Sequence, residues 1–229
     1  MNQDDVLIIV AHPDDEVIGA GGTILRLVQD YGYKAHVLVM SDLHEAMPNH
    51  VDSLTKQNWL SDAAEKMGVT WIQKGFPAQK LDTIPFKNLV GGIEVELKKL
   101  DEVGFKPGIV FTHSVADLNL DHQLVAKAAL TALRPKPESS VTALYSFEIP
   151  SSTDWSFNQI GGGFAPNVFV DITKWWEQKE ALLSVYDGEI LPAPHPRSYE
   201  NIKNVAKVRG ATVGVSYAEA FQLVWSKIC

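Results

Sequence analysis

The run Val6-Leu7-Ile8-Ile9-Val10, followed without a break by Ala11-His12-Pro13-Asp14-Asp15-Glu16, decides how the chain is read. Five consecutive apolar residues with no polar alternation are what a strand buried on both faces requires. Such strands belong to parallel sheets covered by helices. The run stops at a histidine, a proline and three acids. Pro13 fixes the backbone and removes a donor, so the turn is rigid. Beyond it, Val17, Ile24, Leu25 and Val28 share one face of a helix from Glu16 to Tyr31, and Gly32 ends it.

The same alternation continues outward. Strands are expected at Ala35–Met40, Val69–Gln73, Gly108–His113 and Val141–Ile149, with helices at Asp52–Met67, Phe86–Leu100 and Asp121–Arg134 between them. Asp121 is read as the N-cap of the last of these helices. Strand-helix alternation over residues 1–150 predicts an α/β fold: a Rossmann-like, doubly wound, mostly parallel sheet with helices on both faces. Residues 151–229 read as a C-terminal α/β extension of the same domain, because no linker separates them. Its start, residues 150–168, is rich in Ser, Gly, Asn and Pro. It reads as a long loop or a lid carrying Trp155, Phe157 and Gly161 to Gly163. A strand is expected at Asn167–Ile172, helices at Thr173–Val185 and Pro196–Arg209, and helical character from Tyr217 to Ile228. At least one of Trp175 and Trp176 is expected in the core.

Composition narrows the function classes. The 229 residues carry 20 basic and 28 acidic side chains, a formal charge of −8, with 45% apolar residues. The chain is too apolar for intrinsic disorder. Its negative balance argues against a nucleic-acid partner. The single cysteine excludes an internal disulfide scaffold. No apolar stretch approaches the ~18 residues of a membrane span. The acidic start of the chain lacks the positive charge of a secretory signal, so a cytoplasmic location is the default. Gly19, Gly21 and Gly22 do not form G-x-G-x-x-G, and no phosphate loop or H-E-x-x-H occurs.

The chemistry gathers where the first and fourth strands end. His12 and Asp15, three residues apart, can converge on one cation, which leaves Asp14 free to act as a base. The plainer alternative is an ordinary strand-to-helix turn with Asp15 as the cap. In a doubly wound sheet the ends of the first and fourth strands can be neighbours, and His122 then supplies a third ligand. Two imidazoles and one carboxylate leave a fourth position open, as a catalytic zinc site requires. Asp42 and His44 follow the second strand at the same edge and are candidate substrate contacts. The planar fork of Arg197 suits a sugar hydroxyl, a phosphate or a carboxylate. His195, between two prolines, is either a site histidine or a surface one.

Ala11 to Glu16 resembles, without a change, the A-H-P-D-D-E signature of the zinc-dependent N-acetylglucosaminyl-phosphatidylinositol deacetylases, the PIG-L or LmbE-like family. Asp121-His122 is similar to the end of that family's H-x-D-H motif, with Asn119 where its first histidine is expected. His195-Pro196-Arg197-Ser198, Arg209-Gly210 and Tyr217-Ala218-Glu219-Ala220-Phe221 resemble the bacterial sugar-deacetylase branch. The resemblance implies metal-dependent hydrolysis of an N-acetyl group on a small amino sugar or sugar conjugate. It implies zinc, with iron or cobalt as alternatives, on His12, Asp15 and His122. Asp14 would be the general base, and Asp121 would orient a neighbouring side chain. With Asn119 in the pattern, the acid that protonates the leaving amine falls to His195, His113 or Asp14. Two rival readings stand beside this one: a sugar or nucleotide-sugar binding module without catalysis, and an amidase for a non-sugar conjugate. A homo-oligomer is left open.

Overall fold

The computed structural model describes residues 5–42 and 52–228. Among them, β1 (Asp5–Val10), β2 (Ala35–Ser41), β3 (Thr70–Phe76), β4 (Pro107–His113), β5 (Ala143–Phe147), β6 (Val168–Asp171) and β7 (Ala218–Ser226) form one sheet. Its order is β3-β2-β1-β4-β5-β7-β6. The first five strands pair in parallel, and β7 alone runs against both its neighbours. The chain steps outward from β1 to β3, then crosses to β4 on the other side of β1. That reversal leaves the carboxyl ends of β1 and β4 side by side, where ligands of doubly wound sheets bind.

β1 explains the two-layered core. Val6, Ile8 and Val10 pack with α1 (Asp15–Tyr31), α2 (Ser53–Met67), α5 (Trp176–Leu183) and α6 (Tyr199–Val213). Leu7 and Ile9 point the other way, into a second core with α3 (Phe86–Glu102) and α4 (Leu120–Ala132). An unbroken apolar run is therefore needed, because neither face of this strand meets water. The glycines of α1 serve close packing: a Cβ on Gly19 would overlap the Phe147 ring, and one on Gly22 would overlap Ile172. Trp175 and Trp176 are both buried. No helix of the described residues is long and apolar enough to cross a membrane.

One polar staple crosses the first core. Lys179 on α5 pairs with Glu219 on β7 at 2.5 Å and also donates to the Ile18 carbonyl at 2.9 Å. Glu219 in turn accepts from the N–H groups of Gly22 and Thr23 at 2.9 and 2.7 Å. Helix α1 is thereby tied to α5 and β7 of the C-terminal third.

Several elements depart from the sequence expectations. Tyr217–Ile228, expected to be helical, contains strand β7, whose Phe221 is paired with Phe147 on one side and Val168 on the other. Pairing with two distant strands overrides a locally helix-compatible composition. Helix α4 starts at Leu120, because Asn119 and not Asp121 is its N-cap: Asn119 Oδ1 accepts from the N–H groups of Asp121 and His122 at 2.9 and 3.4 Å. The expected helix Thr173–Val185 divides into a 3₁₀ turn, α5, and a second 3₁₀ stretch over Ser184–Glu189. The kink in that second stretch lies at Tyr186, whose hydroxyl is drawn to Glu16. The expected helix Pro196–Arg209 begins only at Tyr199, capped by Ser198, and runs on to Val213.

Candidate active site

The turn after β1 sends its three acids in three directions. Asp14 occupies the N-cap position of α1 with φ 109° and ψ −34°, a positive-φ conformation that L residues rarely adopt. Its carboxylate makes no capping bond and meets Arg197 Nη1 at 3.2 Å. Asp15 lies inside the helix, not at its cap, and its Oδ2 accepts from the His12 N–H at 2.8 Å. Glu16 turns inward, accepting from the Asp14 N–H at 3.1 Å and from the Tyr186 hydroxyl at 2.7 Å. Burial pushes the Glu16 carboxyl up to about 7.

The ends of β1 and α4 then bring His12, Asp15 and His122 together. His12 Nδ1 is 3.3 Å from His122 Nε2 and 3.5 Å from Asp15 Oδ2, and His122 Nε2 is 3.4 Å from Asp15 Oδ1. The outer nitrogen of each imidazole faces a carboxylate. His12 Nε2 is 3.1 Å from Asp121 Oδ2, and His122 Nδ1 is 3.2 Å from Asp117 Oδ1, though off line for a hydrogen bond. Protons held on the outer nitrogens leave two inner lone pairs aimed at each other beside a carboxylate. A cation resolves that arrangement. A tetrahedral zinc with bonds of about 2.0–2.1 Å sets its ligand atoms about 3.3 Å apart, which is the spacing these donors already have. The residues present therefore fit a small divalent ion with N and O ligands.

Asp121 fixes the first imidazole in this arrangement. Its two oxygens also accept the N–H groups of Gln79 and Leu81 at 2.6 and 3.2 Å. Burial works to raise its pKa, but the bonds from His12, Leu81 and Gln79 prevail and hold it below the usual value. Asp121→Ala is expected to weaken zinc affinity by about 10–100-fold, measured by competition with a chromogenic chelator.

Other charges at the site follow from burial. Asp14 is held well above the ordinary carboxylate value, first by burial and then by Asp15, with Arg197 pulling the other way. Asp15 is held well below it despite burial, because His122 and His113 surround it. His113, at the end of β4, is pushed down to about 4 by burial and by His122. Its Nε2 accepts the Ala11 N–H at 2.9 Å, so the ring is neutral and braces the turn, stacked on His122 with ring centroids 4.0 Å apart.

His12, Asp15 and His122 floor a cleft that opens to solvent. Asp14, Asn119 and Arg197 line it beside the cluster, together with Gln79, Lys56, Trp59 and Glu189. The last four carry no local motif. Lys56 and Trp59 share a face of α2, and the Lys56 ammonium is 4.0 Å from Glu189. His195 does not line the cleft. Its Nδ1 accepts the Arg197 N–H at 3.1 Å and its ring packs on Trp155 at 5.1 Å. Asp42 holds the 77–80 loop through the Ala78 N–H and is likewise outside the lining. His44 lies outside the described residues. Trp155, Phe157 and the glycines 161–163 do not line the cleft.

A doubly wound sheet with a His–Asp–His cluster at the β1/β4 switch point defines a class of metal-site α/β proteins. The family model for GlcNAc-PI de-N-acetylase, PIG-L, matches residues 7–133, more than half of the chain, and the chain belongs to that family. Solved structures share the fold across almost its whole length. The conserved protein TT1542 from Thermus thermophilus is 24% identical with TM-score 0.77, over 98% of this chain and 96% of that one. GalB, the 4-carboxy-2-hydroxymuconate hydratase from Pseudomonas putida, is 22% identical with TM-score 0.75, over 99% and 98%. The N,N'-diacetylchitobiose deacetylase from Pyrococcus horikoshii is 21% identical with TM-score 0.75, over 97% and 84%.

Proposed function

We propose that this protein is a metal-dependent N-deacetylase that hydrolyses the acetamide of an amino sugar or sugar conjugate. The observation that carries the reading is the pair of imidazoles whose inner nitrogens meet at Asp15, with Asp14 buried in the same cleft. His12, Asp15 and His122 would hold the ion, zinc by preference and iron or cobalt by the same donor chemistry. When bound there, a divalent ion supplies Lewis acidity toward an acyl oxygen and eases deprotonation of water.

The chain's own residues supply the rest. Asp14 takes a proton from the attacking water, a task suited to a carboxylate whose basicity burial has raised. Arg197 keeps that carboxylate oriented through Nη1. Asp121 holds the His12 ring, and Asp117 lies behind His122. Trp59 offers a flat apolar wall and Lys56 with Glu189 a polar pair, surfaces that suit the two sides of a sugar ring.

GalB is a hydratase on the same fold, so released acetate, and not architecture, is the test. Free, nucleotide-linked and lipid-linked N-acetylglucosamine are incubated with the protein and acetate is assayed. Dialysis against a chelator is expected to abolish release, and one equivalent of zinc to restore it. Release that persists in metal-free protein overturns the reading. Tight binding with the sugar recovered intact points instead to a binding module.

A further inference from the structure

The polar contacts behind His122 lead into the C-terminal third. Asp117 is wholly buried, with Oδ1 3.2 Å from His122 Nδ1. The same oxygen accepts the Asn119 N–H at 2.8 Å, and Oδ2 accepts the Thr153 hydroxyl at 3.0 Å. Thr153 follows β5, in the stretch whose composition reads as a loop or a lid, yet it is buried. A threonine hydroxyl has one proton to give. The Ile149 N–H donates to Thr153 Oγ1 at 2.8 Å, so a lone pair is used there and the proton goes to Asp117. The turn around Thr153 is itself fixed. The N–H groups of Ser152 and Thr153 return to the Ile149 carbonyl at 3.1 and 2.8 Å, and the Ser152 carbonyl accepts the Leu118 N–H at 2.9 Å. At its root, Arg209 of α6 clasps Glu148 with two bonds of 2.8 and 2.6 Å.

Two carboxylates compete for the one proton of a neutral His122 ring. Asp117 Oδ1 stands behind Nδ1, and Asp15 Oδ1 is 3.4 Å from Nε2. A proton on Nε2 occupies the lone pair that an ion needs. We propose that Thr153 is a positioning residue of the metal centre: by holding Asp117 Oδ2, its hydroxyl keeps Oδ1 behind His122 Nδ1 and the proton on that outer nitrogen. The proposal rests on the reading of His12, Asp15 and His122 as ion ligands. Without the hydroxyl, a buried carboxylate oxygen loses its donor, and the Asp117 carboxylate is held on one side only. Thr153 lies beyond residue 133, where the match to the family model ends, and it does not line the cleft. The C-terminal third thus acts on the centre from behind, through one carboxylate.

Thr153→Val keeps the shape of the side chain and removes the hydroxyl. Its zinc affinity, measured by competition with a chelator, is expected to fall about tenfold, and Thr153→Ser to restore it. Thr153→Ala, expected to show the same loss, serves if the valine variant fails to fold. Two readouts distinguish this from a brace of the turn. On an Asp117→Asn background, itself expected to lower zinc affinity about 10–100-fold, Thr153→Val is expected to change affinity by less than about twofold, because the hydroxyl acts through that carboxylate. The second readout needs no metal. Imidazole ¹⁵N shifts of metal-free protein in alkaline buffer are expected to show His122 with its proton on Nδ1 in the parent, and a larger share with the proton on Nε2 in Thr153→Val. Parent-like zinc affinity or an unmoved tautomer in the hydroxyl-free variant overturns the proposal. So does an equal loss of affinity with and without the Asp117 carboxylate. A parent protein that binds no zinc sinks the ligand reading instead, and the tautomer shifts still decide Thr153.

Discussion

Exchanging Asp14 for asparagine is expected to lower kcat for acetate release by about 10²- to 10⁴-fold while the full equivalent of zinc stays bound. Asparagine has nearly the same shape as aspartate and asks nothing new of the backbone, whose φ here is 109°. It leaves His12, Asp15 and His122 untouched, so metal content serves as the internal control. What it removes is the group able to carry a proton. The effect belongs in kcat more than in KM, because proton transfer is felt in the transition state and not in ground-state binding. Arg197→Lys probes the same point from outside. Its head cannot reproduce the planar contact, so Asp14 is held less firmly. Activity of Asp14→Asn within a few-fold of the parent, with zinc intact, would take Asp14 out of the proton path.

Lys179→Met is expected to destabilise the fold by about 3–5 kcal/mol, a fall in melting temperature on the order of 10 °C for a chain of this size. The cause is the partner left behind. Glu219 would stay buried as an uncompensated carboxylate, still accepting from Gly22 and Thr23 but without its counter-charge. Replacing both, as Lys179→Met with Glu219→Leu, is expected to cost less than Lys179→Met alone, because two apolar side chains leave no buried charge unpaired. Thermal melts of the two single variants and the double variant measure this. Additive losses would show that the pair acts as two separate contacts. Neither residue lines the cleft beside His12, Asp15 and His122, so zinc content is expected to stay at the parent level at temperatures where the variants remain folded.

The sheet was legible where burial on both faces forces apolar runs. Val6–Val10 is the clearest case, while the neighbouring ends of β1 and β4 were one arrangement that a doubly wound sheet allows, and the strand order realises it. Strand β7 was not legible. Ala218-Glu219-Ala220-Phe221-Gln222-Leu223 is built of good helix formers, and what makes it a strand is its pairing with β5 and β6, which lie far away in sequence. The cluster of His12, Asp15 and His122 could be anticipated because each residue sits at the end of a readable element. Lys56 and Trp59 on α2, Gln79 and Glu189 could not, since these three segments meet only through the tertiary fold. Tyr186 was hidden in the same way: a tyrosine 170 positions from Glu16 gives no local sign of the bond between them. His195 shows the converse. Its proline neighbours left it open between a site histidine and a surface one, and only the fold shows its ring nitrogen engaged by the adjacent Arg197 N–H.

The placement of β7 has a consequence for synthesis on the ribosome. Segment 218–226 leaves the exit tunnel after all the other described strands, yet it takes a seat between β5 and β6. Until then β6 has no neighbour to zip onto, and Lys179 waits beside α1 without its counter-ion. The nascent chain can assemble the five parallel strands early, but it reaches its finished form only when the last ribbon slots into the gap held for it.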